Sequence, residues 1–261
     1  MAVTRIYHYL NTDVADPRTK DWSLIDNPLI IVLLSSMYLY IVLRLGPRYM
    51  KNRPAYGLST FIKFYNSFQI AANALVIYHT VAAGWFEINS WYCISADFAR
   101  TPRNDKIIAM MWYLLLLKLV DYIETIVFVL RKKQRQVSFL HLYHHISTVL
   151  INWFIVKYQP HAMVMMVVVV NCGIHVIMYT YYLLASFGPS MQKLLNPVKP
   201  FITIMQIGQF IFLILHQMQS FTTDCTGVKL LSGMMNVNLT INLILFINFY
   251  RKNYTKKSKR Q

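Results

Sequence analysis

The amino-acid sequence predicts an all-α integral membrane protein with seven transmembrane helices, a luminal N-terminus and a cytosolic C-terminus. Three observations predict this fold class: an apolar composition, long stretches without charged residues, and a one-sided distribution of basic residues. Of the 261 residues, 56% are hydrophobic and only 14% are charged. Soluble proteins carry about 25% charged residues, so this composition excludes an ordinary soluble domain. The aromatic content of 15% also excludes a disordered chain.

The stretches without charged residues give the helices in order. A hydrocarbon core of about 30 Å requires roughly 20 helical residues, and six stretches without Asp, Glu, Lys or Arg approach or exceed that length. Residues 107–130 are included although Lys118, Asp121 and Glu124 interrupt them, because both ends are strongly apolar and the charge distribution requires an odd number of crossings. We therefore predict that residues 1–261 form one seven-span domain with a basic cytosolic tail at 251–261. The predicted spans are residues 27–43, 64–86, 107–130, 137–156, 162–186, 200–223 and 230–250.

The basic residues predict the orientation of these spans. With seven crossings, the loops 44–57, 131–136 and 187–199 and the C-terminal tail share one side, which holds 16 Lys or Arg and no acid. The segments on the other side hold 8 basic and 8 acidic residues, so the net charge of +16 belongs to one face. The positive-inside rule makes that face cytosolic. A nucleic-acid-binding function is excluded, because it would require a basic face on a water-soluble module.

Two of the three cysteines, Cys93 and Cys225, fall in loops on the predicted luminal side. The lumen of the secretory pathway permits oxidation, so we predict a disulfide between them. Two unpaired loop thiols are the alternative, because a sequence does not supply the Cα separation that a disulfide requires. Cys172 lies within the fifth span.

Four polar clusters lie inside the spans, where ionisable groups are costly and mark functional sites. Each cluster occupies mainly one face of its helix, and all four reach roughly 5–20 Å from the cytosolic edge at about 1.5 Å per residue. We therefore expect a single site. The clusters are Lys118, Asp121, Glu124 and Thr125; His141, His144 and His145; Asn171, His175, Met178, Tyr179, Tyr181 and Tyr182; and Thr203, Gln206 and Gln209.

The three histidines of the second cluster permit three kinds of site. Neutral imidazole is the commonest metal ligand, so with His175 they could hold an ion, although the several histidine boxes of a membrane desaturase are lacking. A purely structural polar network, as in a seven-helix receptor or transporter, is a second interpretation. Imidazole is also a nucleophile that can attack a thioester, while neighbouring imidazoles move the proton and groups such as Asn171 stabilise oxyanion charge.

Five motifs in this chain resemble those of one family, the ELO/ELOVL very-long-chain fatty acid elongases, which are 3-ketoacyl-CoA synthases of the endoplasmic reticulum. One departure concerns the first motif, which in the family usually reads K-x-x-E-x-x-D-T. Here Asp121 and Glu124 exchange the two acids, so both carboxylates persist and the expected reaction class is unchanged. The motifs are K-L-V-D-Y-I-E-T, L-R-K-K, H-L-Y-H-H, N-C-G-I-H-V-I-M-Y-T-Y-Y and T-I-M-Q-I-G-Q.

The resemblance implies condensation of a long-chain acyl-CoA with malonyl-CoA to give 3-ketoacyl-CoA, CO2 and CoA, without a cofactor or a metal. By resemblance, His144 forms an acyl-imidazole, His141 and His145 orient it and move protons, and His175 assists decarboxylation. Cys172 is the alternative nucleophile, which we interpret as a packing residue because a thiol in apolar surroundings is hard to ionise. The supporting polar network comprises Asn171, Tyr179, Tyr182, Gln206, Gln209, Lys118, Asp121 and Glu124.

Within this network, Lys118 is expected to form an internal ion pair with Asp121 or Glu124. The spans would enclose an acyl-chain tunnel open towards the cytosol, and the basic loop after the third span would attract CoA phosphates as well as orient the chain. That loop contains Arg131, Lys132, Lys133 and Arg135.

The basic tail resembles a dilysine retrieval signal, with Lys257 and Lys259, and this indicates a multi-pass protein of the endoplasmic reticulum membrane. Besides acyl-CoA, malonyl-CoA and membrane lipid, the implied partners are the ketoacyl reductase, dehydratase and enoyl reductase of the elongation cycle. The resemblance leaves homo-oligomer formation open, as it does the preferred acyl chain.

Overall fold

A computed structural model shows a helical chain and describes residues 2–86, 91–93, 99–160, 162–222, 225 and 229–255, which contain no β-strand. The α-helices are α1 (Ala2–His8), α2 (Pro28–Tyr40), α3 (Gly46–Met50), α4 (Ser59–Ala82), α5 (Pro102–Val120), α6 (Tyr122–Leu130), α7 (Phe139–Tyr158), α8 (Val164–Ala185), α9 (Pro189–Leu195), α10 (Val198–Met218) and α11 (Lys229–Tyr250). Shorter π-helical and 3-10 segments are Tyr9–Asp13, Ile41–Leu45, Arg251–Thr255 and Gln219–Phe221.

Five helical stretches in the described part of the chain are long and apolar enough to cross a membrane. These stretches are Pro28–Met50, Phe139–Tyr158, Val164–Ala185, Val198–Phe221 and Lys229–Thr255. They correspond to the first, fourth, fifth, sixth and seventh predicted spans, and they confirm an all-helical membrane protein.

The second and third predicted spans are also helical, but both are more polar. Helix α4 contains the buried amides of Asn66, Gln69 and Asn73. The third span is not one helix, because a turn at Asp121 separates α5 from α6. Seven crossings and the orientation of the termini therefore stay predictions.

Polar N-cap residues define the starts of three long helices. The side chains of Asn27 and Thr101 accept hydrogen bonds from the first turns of α2 and α5, and in each case proline follows the cap. Proline is favoured there because the first helical N–H has no intrahelical partner. Ser138 caps α7 by accepting a hydrogen bond from the His141 backbone N–H at 3.2 Å. This cap fixes the first turn of α7, which contains His141.

The chain divides into two compact units, of which the first comprises residues 1–57 and 96–162. Within it, α5 packs against α7 and α3 packs against α6. The π-helical segment Ile41–Leu45 joins α2 to α3 and ends directly before Gly46. A Cβ atom at Gly46 would lie 2.7 Å from Cγ1 of Val129 on α6, so only glycine permits this close approach.

Residues of the N-terminal segment cap the C-terminal end of α7 in the same unit. Asp16 and Arg18 form a buried ion pair at 2.8 Å, and Arg18 also donates to the carbonyl oxygen of Pro160. The Asp16 backbone N–H donates to the Lys157 carbonyl, and the Thr19 hydroxyl donates to the Val156 carbonyl. Carbonyl groups at the end of the helix thus find partners, as buried backbone oxygens require.

The fourth and fifth predicted spans, 137–156 and 162–186, leave Lys157 in a luminal turn between them, and the structure corrects this prediction. The structure places Lys157 in the last turn of α7, where it is fully buried. Its ammonium group donates to the carbonyl oxygen of Ile25 at 2.7 Å. A backbone oxygen from a distant segment therefore compensates for burial of the charge.

The second unit comprises residues 58–95 and 163–261. In this unit α4 packs along α8, while α10 packs against both α8 and α11. The structure joins Cys93 and Cys225 in a disulfide whose Cα atoms are 5.8 Å apart. Cys172 is a free thiol on α8 and is fully buried.

Candidate functional site

The first two turns of α7 bring the histidines of the H-x-x-H-H motif together within the first unit. The ring centroids of His141 and His145 are 4.1 Å apart, and those of His144 and His145 are 5.8 Å apart. His145 is buried, whereas His141 and His144 are half-buried. The positions i, i+3 and i+4 lie on one helical face, which explains this contact.

A hydrogen-bonded chain from α6 and α2 holds the His141 ring. The Thr125 hydroxyl oxygen lies 2.8 Å from His141 Nε2 and 2.8 Å from the Tyr38 hydroxyl. Thr125 is fully buried, and Tyr38 is 3% exposed. The Tyr38 ring stacks on Tyr122 with centroids 3.9 Å apart, and the Tyr122 hydroxyl lies 3.0 Å from Ser35 Oγ. These contacts fix both the position and the plane of the imidazole.

The two acids of the third predicted span have different partners. Lys118 Nζ pairs with Asp121 at 3.3 Å, which selects one of the two ion pairs that the sequence left open. Glu124 Oε2 instead lies 3.8 Å from His145 Nε2. A carboxylate at this place can orient His145 and stabilise its protonated form.

Glu124, His141 and His145 also form a cluster with the chemistry of a metal site. One ligand atom from each residue lies within 4.8 Å of the other two. Two imidazoles and a carboxylate suit a zinc or iron ion. Glu124 adds a carboxylate ligand to the histidines that the sequence predicted for such a site.

His175 lies on α8, in the second unit. When its ring is neutral, a hydrogen bond defines which nitrogen carries the proton. Its Nδ1 atom lies 2.8 Å from the Asn171 carbonyl oxygen, and both residues are buried. Because a carbonyl oxygen only accepts, Nδ1 carries the proton and Nε2 of the neutral ring is an acceptor. The Tyr179 ring follows along the same face, with its centroid 5.9 Å from that of His175.

A row of buried polar groups on α4 was missed by the sequence analysis. Gln69 Nε2 donates to the Tyr65 hydroxyl at 2.8 Å, and Asn73 Nδ2 donates to the backbone carbonyl oxygen of Gln69 at 2.8 Å. The Tyr65 ring meets Tyr179 edge to face with centroids 6.0 Å apart. The signal was present, because Asn66, Gln69 and Asn73 recur at i, i+3 and i+7 within an apolar stretch.

The remaining predicted residues of the polar network also lie in the second unit. The ring centroids of Tyr182 and Tyr179 are 6.1 Å apart. Gln206 donates to the Met178 sulfur at 3.6 Å, and Gln209 is buried on the same helix, α10. The structure thus places the predicted polar residues in two groups, one in each unit.

The predicted CoA-binding residues follow α6 in the first unit. Arg131 is half-buried, and Lys132, Lys133 and Arg135 are exposed. Lys132 has a positive φ of 56°, a left-handed conformation that favours glycine. The proposed retrieval residues Lys257 and Lys259 lie outside the part of the chain that the structure describes.

Comparison with known proteins now gives the family. The sequence profile of the ELO family, described as the GNS1/SUR4 family, matches residues 23–261. Mouse very long chain fatty acid elongase 1 is 34% identical over 98% of this chain and 91% of its own length. The human elongase 1 is 34% identical over 93% of this chain and 87% of its own, and Drosophila melanogaster elongase 7 is 32% identical over 93% and 74%. The chain belongs to the ELO family of very long chain fatty acid elongases.

Proposed function

We propose that this protein is the condensing enzyme of fatty acid elongation, a very-long-chain 3-oxoacyl-CoA synthase. It would join a long-chain acyl-CoA to malonyl-CoA and give 3-ketoacyl-CoA, CO2 and free CoA. The observation that carries this proposal is the imidazole cluster on α7. There Thr125 holds His141, Glu124 adjoins His145, and the His144 ring lies 5.8 Å from that of His145.

The first step uses His144 as the nucleophile. A nitrogen of its neutral ring attacks the thioester carbonyl carbon, the C–S bond breaks, and CoA leaves as the thiolate. The other ring nitrogen then loses its proton, which reaches the thiolate, so the products are acyl-imidazole and CoA thiol. His145 can accept and return this proton because its imidazolium form lies next to the Glu124 carboxylate.

The second step extends the chain by two carbons. Malonyl-CoA loses CO2 and becomes an enolate, whose carbon attacks the acyl carbon and breaks its bond to His144. The His144 ring leaves and takes up one proton, which restores the neutral imidazole. We assign His175 to the decarboxylation, because its protonated Nε2 can donate to the thioester oxygen while Nδ1 stays bonded to Asn171.

The intact mass of the purified protein after incubation with a long-chain acyl-CoA, without malonyl-CoA, tests this mechanism. We expect an added acyl group that persists in Cys172→Ser and is absent in His144→Ala. An adduct that is lost in Cys172→Ser would assign the nucleophile to the thiol. Absence of both the adduct and, with malonyl-CoA, the ketoacyl product would refute the condensing function.

A second candidate function is favoured by one observation, the proximity of Glu124, His141 and His145. These residues could bind an ion for metal-dependent lipid oxidation. Stoichiometric metal in the purified protein, lost in Glu124→Gln together with activity, would support this alternative. The condensing enzyme is expected to retain turnover after dialysis against a chelator.

We further propose an endoplasmic reticulum location and an acyl-chain tunnel within the helices. The product of the reaction carries a 3-keto group, so a ketoacyl reductase, a dehydratase and an enoyl reductase would complete each cycle. Immunofluorescence of the full chain against a marker of that membrane tests the location.

A further inference from the structure

Tyr49, Arg53 and Tyr56 form an exposed group at the end of the first helical stretch and in the loop that follows it. The Arg53 guanidinium carbon lies 4.0 Å above the centre of the Tyr49 ring, and Arg53 also donates to the Tyr49 hydroxyl at 3.0 Å. The hydroxyls of Tyr49 and Tyr56 are 3.1 Å apart. Tyr49 is 45% exposed and Tyr56 is 37% exposed, so the group is open to a ligand.

The neighbours of the Tyr56 hydroxyl favour release of its proton. The Tyr49 hydroxyl and the Arg53 guanidinium lower the pKa of Tyr56 below its ordinary value, because both stabilise the ionised oxygen. The Tyr56 proton is therefore available to an acceptor outside the group. A phosphate oxygen is such an acceptor.

This group is bound to the basic end of α6. The Tyr56 backbone N–H donates to the Leu130 carbonyl oxygen at 3.1 Å, directly before Arg131. At the same end of the helix, Lys132 adopts its left-handed conformation with an exposed side chain. This conformation closes α6 with a Schellman cap, in which the Lys133 N–H donates to the Phe128 carbonyl at 2.8 Å and the Lys132 N–H donates to the Val129 carbonyl at 3.0 Å. The cap fixes the backbone of Lys132 at the end of the helix.

The surrounding charge has a single sign. Residues 44–57 and 131–136 contain eight Lys or Arg and no acid. Membrane topology alone would account for positive charge here. It would not account for a guanidinium stacked on a tyrosine, since a topology signal does not require that contact.

We propose that Tyr49, Arg53, Tyr56 and Lys132 bind the 3′-phosphoadenosine diphosphate portion of CoA. This assignment rests on the proposed function and names a substrate subsite for it. The guanidinium face turned away from Tyr49 offers a flat cationic surface on which adenine stacks. Lys132 and the Tyr56 hydroxyl bind the phosphates.

Binding of adenosine 3′,5′-bisphosphate to the full chain in detergent micelles tests the subsite without turnover. We expect Arg53→Gln to weaken binding by about tenfold, since a charge-assisted contact and a stack are lost together. Arg53→Lys, which keeps the charge without the planar face, should bind with intermediate affinity. The matched control is Arg251→Gln, another exposed arginine at a helix end, which should bind as the parent does.

A second experiment tests whether Arg53 recognises the nucleotide or only supports the fold. The concentration for half-maximal acylation is measured with a long-chain acyl-CoA and with the matching acyl-pantetheine, which lacks the nucleotide. We expect Arg53→Gln to raise this half-maximal concentration about tenfold for acyl-CoA and to leave that for acyl-pantetheine unchanged. An equal rise for both substrates would overturn the proposal, because the variant would then have damaged the fold or the reaction centre.

Anionic lipid is the other source of phosphate at this surface. If Arg53→Gln weakens association with vesicles of phosphatidylcholine and phosphatidylserine but leaves bisphosphate binding unchanged, the site is a lipid site and the proposal is wrong. Arg53-dependent bisphosphate binding in a protein without condensing activity would refute the proposed function and leave the subsite intact. Normal condensing activity, together with bisphosphate binding that does not depend on Arg53, would refute the subsite and leave the proposed function intact.

Discussion

Replacing Thr125 by valine tests whether the hydrogen-bonded chain from Tyr38 positions the histidine cluster. Valine has nearly the same shape but lacks the hydroxyl that lies 2.8 Å from both Tyr38 and His141. Both partners lose a buried hydrogen bond, and each orphaned group costs about 1–3 kcal/mol, so we expect a loss of roughly 2–6 kcal/mol of stability. Thermal unfolding in detergent measures this loss as a lower melting temperature.

The same variant should slow formation of the acyl adduct, because the His141 ring is no longer held beside His145. A misplaced group near the reaction centre can cost about 10²-fold in rate, and we expect a decrease of roughly 10- to 100-fold at a saturating acyl-CoA concentration. Thr125→Ser retains the hydroxyl and serves as the matched control. Tyr38→Phe removes only the outer bond and should cost about 0.5–1.5 kcal/mol. If Thr125→Val and Thr125→Ser acylate at equal rates, the hydroxyl does not position His141.

Three further variants test packing. Gly46→Ala should lower stability by about 1–3 kcal/mol, because its Cβ would meet Val129, whereas Gly208→Ala, with no atom within 4 Å of its Cβ, should leave the melting temperature unchanged or raise it. Arg18→Met leaves the buried carboxylate of Asp16 without its cation and should cost about 3–5 kcal/mol, a loss that a similar melting curve would contradict. Cys225→Ser should destabilise the protein by about 2–4 kcal/mol and make its melting temperature insensitive to dithiothreitol, unlike that of the parent.

The helices could be predicted because a membrane span is a local property of the chain. Apolar length alone placed Phe139–Tyr158 and Val164–Ala185 close to the predicted 137–156 and 162–186. Lys157 was wrongly placed in a loop, because a lysine near the end of an apolar stretch is usually taken to lie outside the membrane-spanning helix. The residue that accepts its hydrogen bond, Ile25, is 132 positions away in the sequence, and only the fold brings the two together.

The composition of the histidine cluster was predictable, but its contacts were not. The i, i+3 and i+4 spacing predicts that His141, His144 and His145 share a face, and the structure shows their rings adjacent. The motif also contained Thr125, but nothing in the spacing indicates which ring it contacts. Tyr38 gave no signal, because a tyrosine in an apolar helix is typical of ordinary membrane packing.

The partner of Lys118 illustrates what helical geometry adds to a motif. At about 100° per residue, Asp121 is about 60° from Lys118 around an ideal helix axis, whereas Glu124 is about 120° away. Although the sequence prediction left both acids open, helical geometry favours Asp121, and the 3.3 Å pair with Lys118 agrees. The turn at Asp121 interrupts the helix at this ion pair.

The two acids that this chain exchanges relative to the family motif, Asp121 and Glu124, have different roles that suit their lengths. The shorter carboxylate, Asp121, is the one that pairs with a lysine only three positions away, where a short side chain suffices. The longer one, Glu124, extends from α6 to His145 on α7. Thr125, the next residue, contacts His141, so consecutive residues of α6 contact two histidines of the same helix face. The K-x-x-D-x-x-E-T motif thus combines an ion pair at the α5–α6 turn with direct support of the imidazole cluster, which explains why its last two residues bear most directly on the proposed chemistry.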